Sequence, residues 1–493
     1  MNKSRNSDKS PRNRLSAFFR GFPAFALLAV VFLCRTFPPV SAQGPAPGLS
    51  LNIDEARTLA LANSRSLAKY KLAIKAGLLD QRGQFYTLLP SPSLGASASA
   101  TLWNAQEGSA EFKDTIGTGL SFGISQQIFN GGKFFVNKTI AELSAEMARQ
   151  DALAEFYAVL TSADSAYYAC LQTKASLESA ESALETAELS LAIAETRAGN
   201  GMIKPGDYLQ ALAEKESREN ARNQAKRDLA LSELKLKTLL GLDEPPLLRE
   251  VEFDGYREFI EKMAAVTEEE TLRLYGGLLR AAASNPALAK ASLKNLQAEK
   301  QTSLALRDFS PTLSASFSTG LNYSVQDGVR PSSGSLSLSG KIPLDYWVLK
   351  DNLMKKQIAR EQAALDYGSA EESLETELYT ALLDLISQAG AVLSSRRSGE
   401  YADKHFEYVM ELYRLNQNSV SDLQEASSLA RTNHNQLIRS QYGFLTSLSK
   451  LRGILVMEDE GALKDLLLKD LLPKDILPKD PLPNDLLSAP GIR

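Results

Sequence analysis

The chain has 493 residues, too many for one small domain, so two domains or a duplicated unit is expected. Hydrophobic residues make up 44% and charged residues 23%, a composition that excludes a disordered chain. Residues 1 to 35 carry seven basic side chains and one acidic, leaving about −10 on the remainder against −4 for the whole, so no nucleic-acid partner is expected.

The N-terminus reads as a secretory signal over residues 1–42. Lys3, Arg5, Lys9, Arg12, Arg14 and Arg20 precede the apolar run FPAFALLAVVFLC, and the small residues Ser41 and Ala42 mark a cleavage point. Cys34 follows Val31-Phe32-Leu33, which lacks the small residues of a lipidation site, so no lipid anchor is expected there. The other cysteine, Cys170, lies in the helical stretch AYYACLQT and reads as a buried small hydrophobe. Past residue 42 no run of roughly 18 apolar residues occurs. If the chain crosses a membrane, it does so as strands.

A first unit is expected over residues 50–241. It opens with a helix over 54–89 that stops at Pro90 in LLPSPSL. A strand over 93–103, SLGASASATLW, puts Leu94, Ala96, Ala98, Ala100 and Leu102 on one face. A second strand over 116–129 puts Ile116, Leu120, Phe122 and Ile124 on one face and Gly117, Gly119, Ser121, Gly123 and Ser125 on the other. The glycines of QQIFNGGK fit a strand-to-helix turn, since GGK lacks the spacing of a phosphate loop. A very long helix follows from about 132 to 198, roughly 100 Å at 1.5 Å per residue. The turn RAGNGMIKPGD leads into a return helix ending at 241.

After a linker over 242–265 the plan repeats over 266–458. A helix over 268–308 stops before Pro311 in DFSPTLS. The strand over 312–323 carries Leu313, Ala315, Phe317, Leu321 and Tyr323 on one face, and that over 335–344 carries Leu336, Leu338, Ile342 and Leu344. A long helix over 350–415, the turn RLNQNSVSD and a return helix to 456 complete the unit. Three landmarks match in order: Asn63 with Asn285, Pro90 with Pro311, and Asp207 with Asp422. They argue for an internal duplication of one large unit. The tail over 459–493 repeats Lys-Asp and Leu-Leu every five residues with Pro473, Pro478, Pro481 and Pro483, and reads as extended or disordered.

Each strand has about 10 residues, enough to cross a bilayer when tilted. Trp103 and Trp347 fall just past strand ends, where interfacial aromatics gather. The apolar face is expected to meet lipid, and the Gly/Ser face to line a crowded lumen. A soluble sandwich would put charges on its outward face, yet Lys341 is the only charge well inside any run. Four strands cannot close a barrel, and open edges are not tolerated in lipid. A symmetric ring of identical subunits is the simplest completion; three copies give 12 strands above a helical tube.

These features together resemble the TolC family of outer-membrane efflux and secretion channels. The likeness runs from about residue 50 to 458. It rests on Asn63 and Asn285-Pro286, on LLPSPSL and DFSPTLS, on QQIFNGGK, and on the tips RAGNGMIKPGDYLQA and YRLNQNSVSDLQEA. The resemblance implies a mainly α fold with transmembrane β structure: a homotrimer whose duplicated long hairpins form a periplasmic α-barrel below a 12-stranded outer-membrane β-barrel, with an equatorial region to which the linker and tail contribute. It also implies an exit duct for efflux or type I secretion, with outer-membrane lipid, a periplasmic adaptor and an inner-membrane transporter as partners. The cargo is not readable from the chain. In the family a carboxylate and Tyr/Arg network holds the periplasmic entrance shut. By position its acids fall on Asp207, Asp422 and Glu425, its tyrosine on Tyr413, and its arginine on Asn418, which carries no charge.

Helix capping competes with a gate role at these residues. Asp207 after Pro-Gly could cap the return helix, and Ser419 with Asp422 has capping-box spacing. No enzyme, metal or cofactor constellation is apparent, because His405 and His434 lack ligand spacing or a matched nucleophile. A periplasmic coiled-coil adaptor would share the long hairpins without needing the strands.

Overall fold

The computed structural model describes residues 51–101, 104–106, 109–111, 115–324, 328–415 and 417–471. The expected signal segment with Cys34, the aromatic Trp103 and the tail beyond 471 lie outside the described residues.

Helix α1 (Ile53–Asn63) starts at a capping box formed by Asn52 and Glu55. It gives way at Ser64, whose hydroxyl accepts from the Leu67 amide, to α2 (Arg65–Tyr86). Strand β1 (Ser91–Thr101), the short pair β2 (Asn104–Gln106) and β3 (Ser109–Glu111), and β4 (Thr115–Phe129) follow. Gly131 and Gly132 then turn the chain with φ of +67° and +74°. A Cβ on Gly131 would lie 2.5 Å from the Cβ of Ser310, so neither backbone nor space admits another residue.

Helix α3 (Lys133–Gly199) runs 67 residues and α4 (Pro205–Leu240) returns, with its proline at the first helical position. The linker carries α5 (Arg257–Ala264). The second half has α6 (Glu268–Ala281), α7 (Pro286–Leu306), β5 (Thr312–Ser324), β6 (Gly328–Lys341), the 69-residue α8 (Tyr346–Arg414) and α9 (Val420–Ile454).

The helices expected over 54–89 and 268–308 are each broken in two, at Ser64 and before Pro286, and two further elements differ from the expectation. Strand β6 begins at Gly328 and ends at Lys341, leaving Ile342 and Leu344 past its end, because Pro343 cannot donate to a ladder. The first part of the expected extended tail is helix α10 (Glu460–Leu471). The prolines start only at Pro473, and before them Leu463 and Leu467, one turn apart, are both fully buried.

Strands β1, β4, β5 and β6 form one antiparallel sheet in that order, with β1 and β6 at its edges. The register stacks like on like. Ile124 faces Phe317, which faces Leu336, and Ala96 faces Leu120, which faces Leu321. Leu94 faces Phe122, and Ala315 faces Leu338. Leu313 lies on the same face by alternation along β5, and a bulge between Gln127 and Phe129 in β4 brings Phe129 opposite it. On the other face Ser93, Gly123, Ser318 and Ser335 form one row, and Ser125, Ser316 and Ser337 another. Hydroxyls pair across β5 and β6 at Ser314–Ser339, Ser316–Ser337 and Ser318–Ser335, at 2.9, 2.7 and 2.8 Å.

The helices repeat one arrangement. In the first half α2 and α4 pack along α3; in the second, α7 and α9 pack along α8; α3 joins the halves by packing on α7 and α9. The duplicated asparagines do the same work in each. Asn63 Nδ2 donates to the Leu240 carbonyl at 2.6 Å, and Asn285 Nδ2 donates to the Ile454 carbonyl at 2.9 Å. Each thereby satisfies a carbonyl at the end of a return helix, which has no partner within its own helix.

The main core lies where α1, α3, α5, α6, α8, α9 and α10 converge. Cys170 is buried in it. At its centre Asp164 is fully buried and held by Arg57 Nε at 2.6 Å, Arg57 Nη2 at 3.0 Å, Arg452 Nη2 at 2.6 Å and the Ser449 hydroxyl. One carboxylate thus ties α1 and α9 to α3. Burial alone would lower the Arg57 pKa, but hydrogen bonding and charge attraction from Asp164 outweigh it and raise it.

Candidate functional site

The turns between α3 and α4 and between α8 and α9 come together at one end of the helices. A second, smaller apolar cluster joins them, built from Ala194, Ala211, Val409, Tyr413, Val420, Leu423 and Ala426. Gln210 Nε2 donates to Gln424 Oε1 at 2.7 Å, linking the second turns of α4 and α9.

Tyr413 is the buried centre of this end, 1% exposed, and its hydroxyl has no hydrogen-bond partner. Its ring is covered by the guanidinium of Arg197, 4.5 Å from the ring centroid. The same guanidinium donates to the Tyr413 carbonyl at 2.6 Å. A cation from α3 therefore closes the C-terminus of α8 and stacks on its last aromatic residue. The cation beside Tyr413 is thus Arg197, from the other hairpin.

Asn418 is half-buried, one residue ahead of the α9 cap. Asp422 closes a complete capping box: the Ser419 amide and hydroxyl donate to Asp422 Oδ2 at 3.0 and 2.8 Å, and the Asp422 amide donates to the Ser419 hydroxyl at 3.2 Å. Donation from the Ser419 amide lowers the Asp422 pKa. Glu425 is exposed on the next turn. Asp207 does not cap α4. That position belongs to Lys204, and Asp207 sits in the first turn, where its charge suits the helix dipole. The tip thus gathers Asp207, Tyr413, Asn418, Asp422 and Glu425 with Arg197, Gln210 and Gln424. Arg197 stood in the quoted turn RAGNGMIKPGD, but only the contact between hairpins gives it a role.

His405 stacks on Tyr401 at 6.1 Å between centroids, and His434 is exposed. Among the described residues no group of three His, Cys, Asp or Glu could hold a metal ion, and no helix is long and apolar enough to cross a membrane. The sheet's apolar face is open: Leu94, Leu120, Phe122, Ile124, Phe317 and Leu338 are exposed, Leu336 to 82%. Trp347, just past β6, is also exposed.

Residues 56–242 match the family model of outer membrane efflux proteins. Over those residues the chain is similar to outer membrane efflux proteins. That family is one of non-enzymatic transport, and its place is the outer membrane. No curated protein matches the chain by sequence. Solved structures do match by fold. The CmeC outer membrane channel of Campylobacter jejuni is 17% identical with a TM-score of 0.66, covering 85% of this chain and 89% of its own. The outer membrane protein VceC of Vibrio cholerae is 16% identical with a TM-score of 0.64, covering 82% and 96%. The MtrE outer membrane channel of Neisseria gonorrhoeae, in its open state, is 16% identical with a TM-score of 0.63, covering 82% and 89%. At these identities the likeness is one of fold. The fold of this chain is similar to that of these outer membrane channels.

Proposed function

We propose that three copies of this chain close a 12-stranded β-barrel in the outer membrane and a helical tube beneath it. The assembly serves as a passive exit duct for an efflux pump or a type I secretion system. The observation that carries this reading is the sheet itself. Its apolar face is exposed and aligned in register across all four strands, while edges β1 and β6 have no neighbour among the described residues. Because β1 and β6 run in opposite directions, β6 of one copy can pair antiparallel with β1 of the next, and no edge is left in lipid. Leu94, Leu120, Phe122, Ile124, Leu313, Phe317, Leu336 and Leu338 then face lipid, with Trp347 at the interface. The serine rows line the bore.

In this assembly the tips form the entrance that an adaptor and an inner-membrane transporter meet. Asp207, Asp422 and Glu425 from three copies place nine carboxylates around the axis. Such a ring favours cations and opposes closure by mutual repulsion. Arg197 on Tyr413 holds the two tips of each copy together against it. Cross-linking in the native membrane tests the assembly: bands up to a trimer are expected, with heat-modifiable migration. A well-folded monomer recovered in mild detergent would overturn it.

A further inference from the structure

Where the sheet meets the helices, α3, α7 with the turn after it, and α8 line an open cleft of about 400 Å³, within the size range of small-ligand sites. Its polar wall is formed by Lys133, Asn137, Gln301, Asp308, Asn352 and Lys356. Lys133 Nζ lies 2.7 Å from Asp308 Oδ1, so those two charges cancel. Asn352 Nδ2 approaches Asp308 Oδ2 at 3.4 Å. Lys356 is different: its ammonium donates to the neutral amide oxygen of Gln301 at 3.2 Å, and it has no ion pair among the described residues. The Asn137 amide has no hydrogen bond to the described residues. Thr302 accounts for the position of Lys356, since its hydroxyl donates to the Lys356 carbonyl at 3.1 Å. The wall therefore offers one uncompensated ammonium, two amides and a neutral ion pair, all converging on one space.

We propose that this cleft binds a phosphate-bearing anion, with Lys356 as its counter-charge and Asn137 and Asn352 as neutral donors. An ammonium acts on phosphate as a point charge with rotatable donors, which suits a tetrahedral group approached from several sides. The phosphate can come from a phospholipid headgroup or from a free phosphate ester. The cleft lies at the helix ends beside β4 and β6, where Phe135 and Trp347 are 69% and 70% exposed, so the two sources are both within reach. The proposal goes beyond the duct reading and does not require it.

The test uses the purified full chain with two probes. Glycerol phosphate is titrated by calorimetry, and phosphatidylglycerol is compared with phosphatidylcholine in nanodiscs by native mass spectrometry. Lys356→Gln is expected to weaken the bound anion about tenfold or more, and Lys356→Arg to retain it. Lys355→Gln, which removes an exposed neighbouring charge, is expected to change nothing. Selective retention of phosphatidylglycerol over glycerol phosphate identifies a lipid; equal binding of glycerol phosphate identifies a free ester. Absence of binding by both probes overturns the proposal, as does equal loss in Lys355→Gln and Lys356→Gln. If Lys356→Gln fails to fold, loss of binding in a folded Lys356→Arg overturns the charge assignment, and retention upholds it.

Discussion

Arg197 Nη2 donates to the Tyr413 carbonyl at 2.6 Å while its guanidinium covers the Tyr413 ring at 4.5 Å. Two residues 216 positions apart thus fasten one hairpin tip to the other. Removing that contact should loosen the tips and leave the rest of the chain intact. Arg197→Ala is expected to cost about 2 kcal/mol, from a charged hydrogen bond and a cation–π contact. Hydrogen exchange at residues 409–423 would rise roughly thirtyfold, with the main core unchanged. Arg197→Lys should restore part of the protection, since it keeps the charge and loses the planar fork. Unchanged exchange in Arg197→Ala would remove Arg197 from the tip.

The Asp422 carboxylate gives the tip a defined pH response. Its pKa is lowered in the folded chain by the Ser419 amide. A depressed carboxylate contributes stability that is present above the unfolded pKa, near 4, and is lost as pH falls through the folded value. The first turn of α9 should therefore fray below about pH 4 and stay closed above it. Asp422→Asn should abolish that pH step, which exchange measured at residues 420–424 across pH 3 to 6 would show. Ser419→Ala should cost about 1 kcal/mol at neutral pH by removing the cap.

Much of this was legible in the sequence, for physical reasons that differ by element. Pro90 and Pro311 end helices and alternation begins beside them, so β1 and β5 start within two residues of where the pattern puts them. Matching Asn63 to Asn285 found two residues with one function, because each closes a return helix. The break at Asn285 carries its own signal, an Asn cap followed by Pro286 at the first helical position, while the break at Ser64 has no proline or glycine to mark it. The Arg197 contact was missed because no local pattern records which hairpin a side chain meets. Helix α10 was missed because a five-residue repeat masked Leu463 and Leu467, which share a helical face.

The two return helices end in the same left-handed turn with different residues. Gly241 has φ of +67° and Val456 has φ of +59°. The Leu242 amide bonds to the Lys237 carbonyl in one, and the Met457 amide to the Arg452 carbonyl in the other. A β-branched residue is strained there. Val456→Gly should stabilise the chain by roughly 1 kcal/mol in urea unfolding. Gly241→Val should destabilise by more, because a Cβ there would lie 2.9 Å from that of Asn63.

The buried charge at Asp164 predicts a larger effect. Asp164→Asn removes the ion-pair partner of buried Arg452 and leaves Arg57 only the exposed Asp54, at a cost of about 3–5 kcal/mol. Urea unfolding would read it, and a loss under 1 kcal/mol would mean that water reaches the network.

The sheet's facing is tested by charge placement. Phe122→Arg or Leu338→Arg should cost roughly 2–4 kcal/mol near the bilayer midplane, seen as lost assembly in membranes, while Ser337→Asn should be tolerated. Equal defects in both sets would contradict the facing.

Single-channel recording in a planar bilayer under a salt gradient tests the duct most directly. A trimeric duct gives stepwise conductance with cation preference, and Asp422→Asn with Glu425→Gln reduces both that preference and block by multivalent cations. A purified, folded protein that inserts without conducting, or a double variant with unchanged selectivity and block, would contradict a conducting ring gated at these tips.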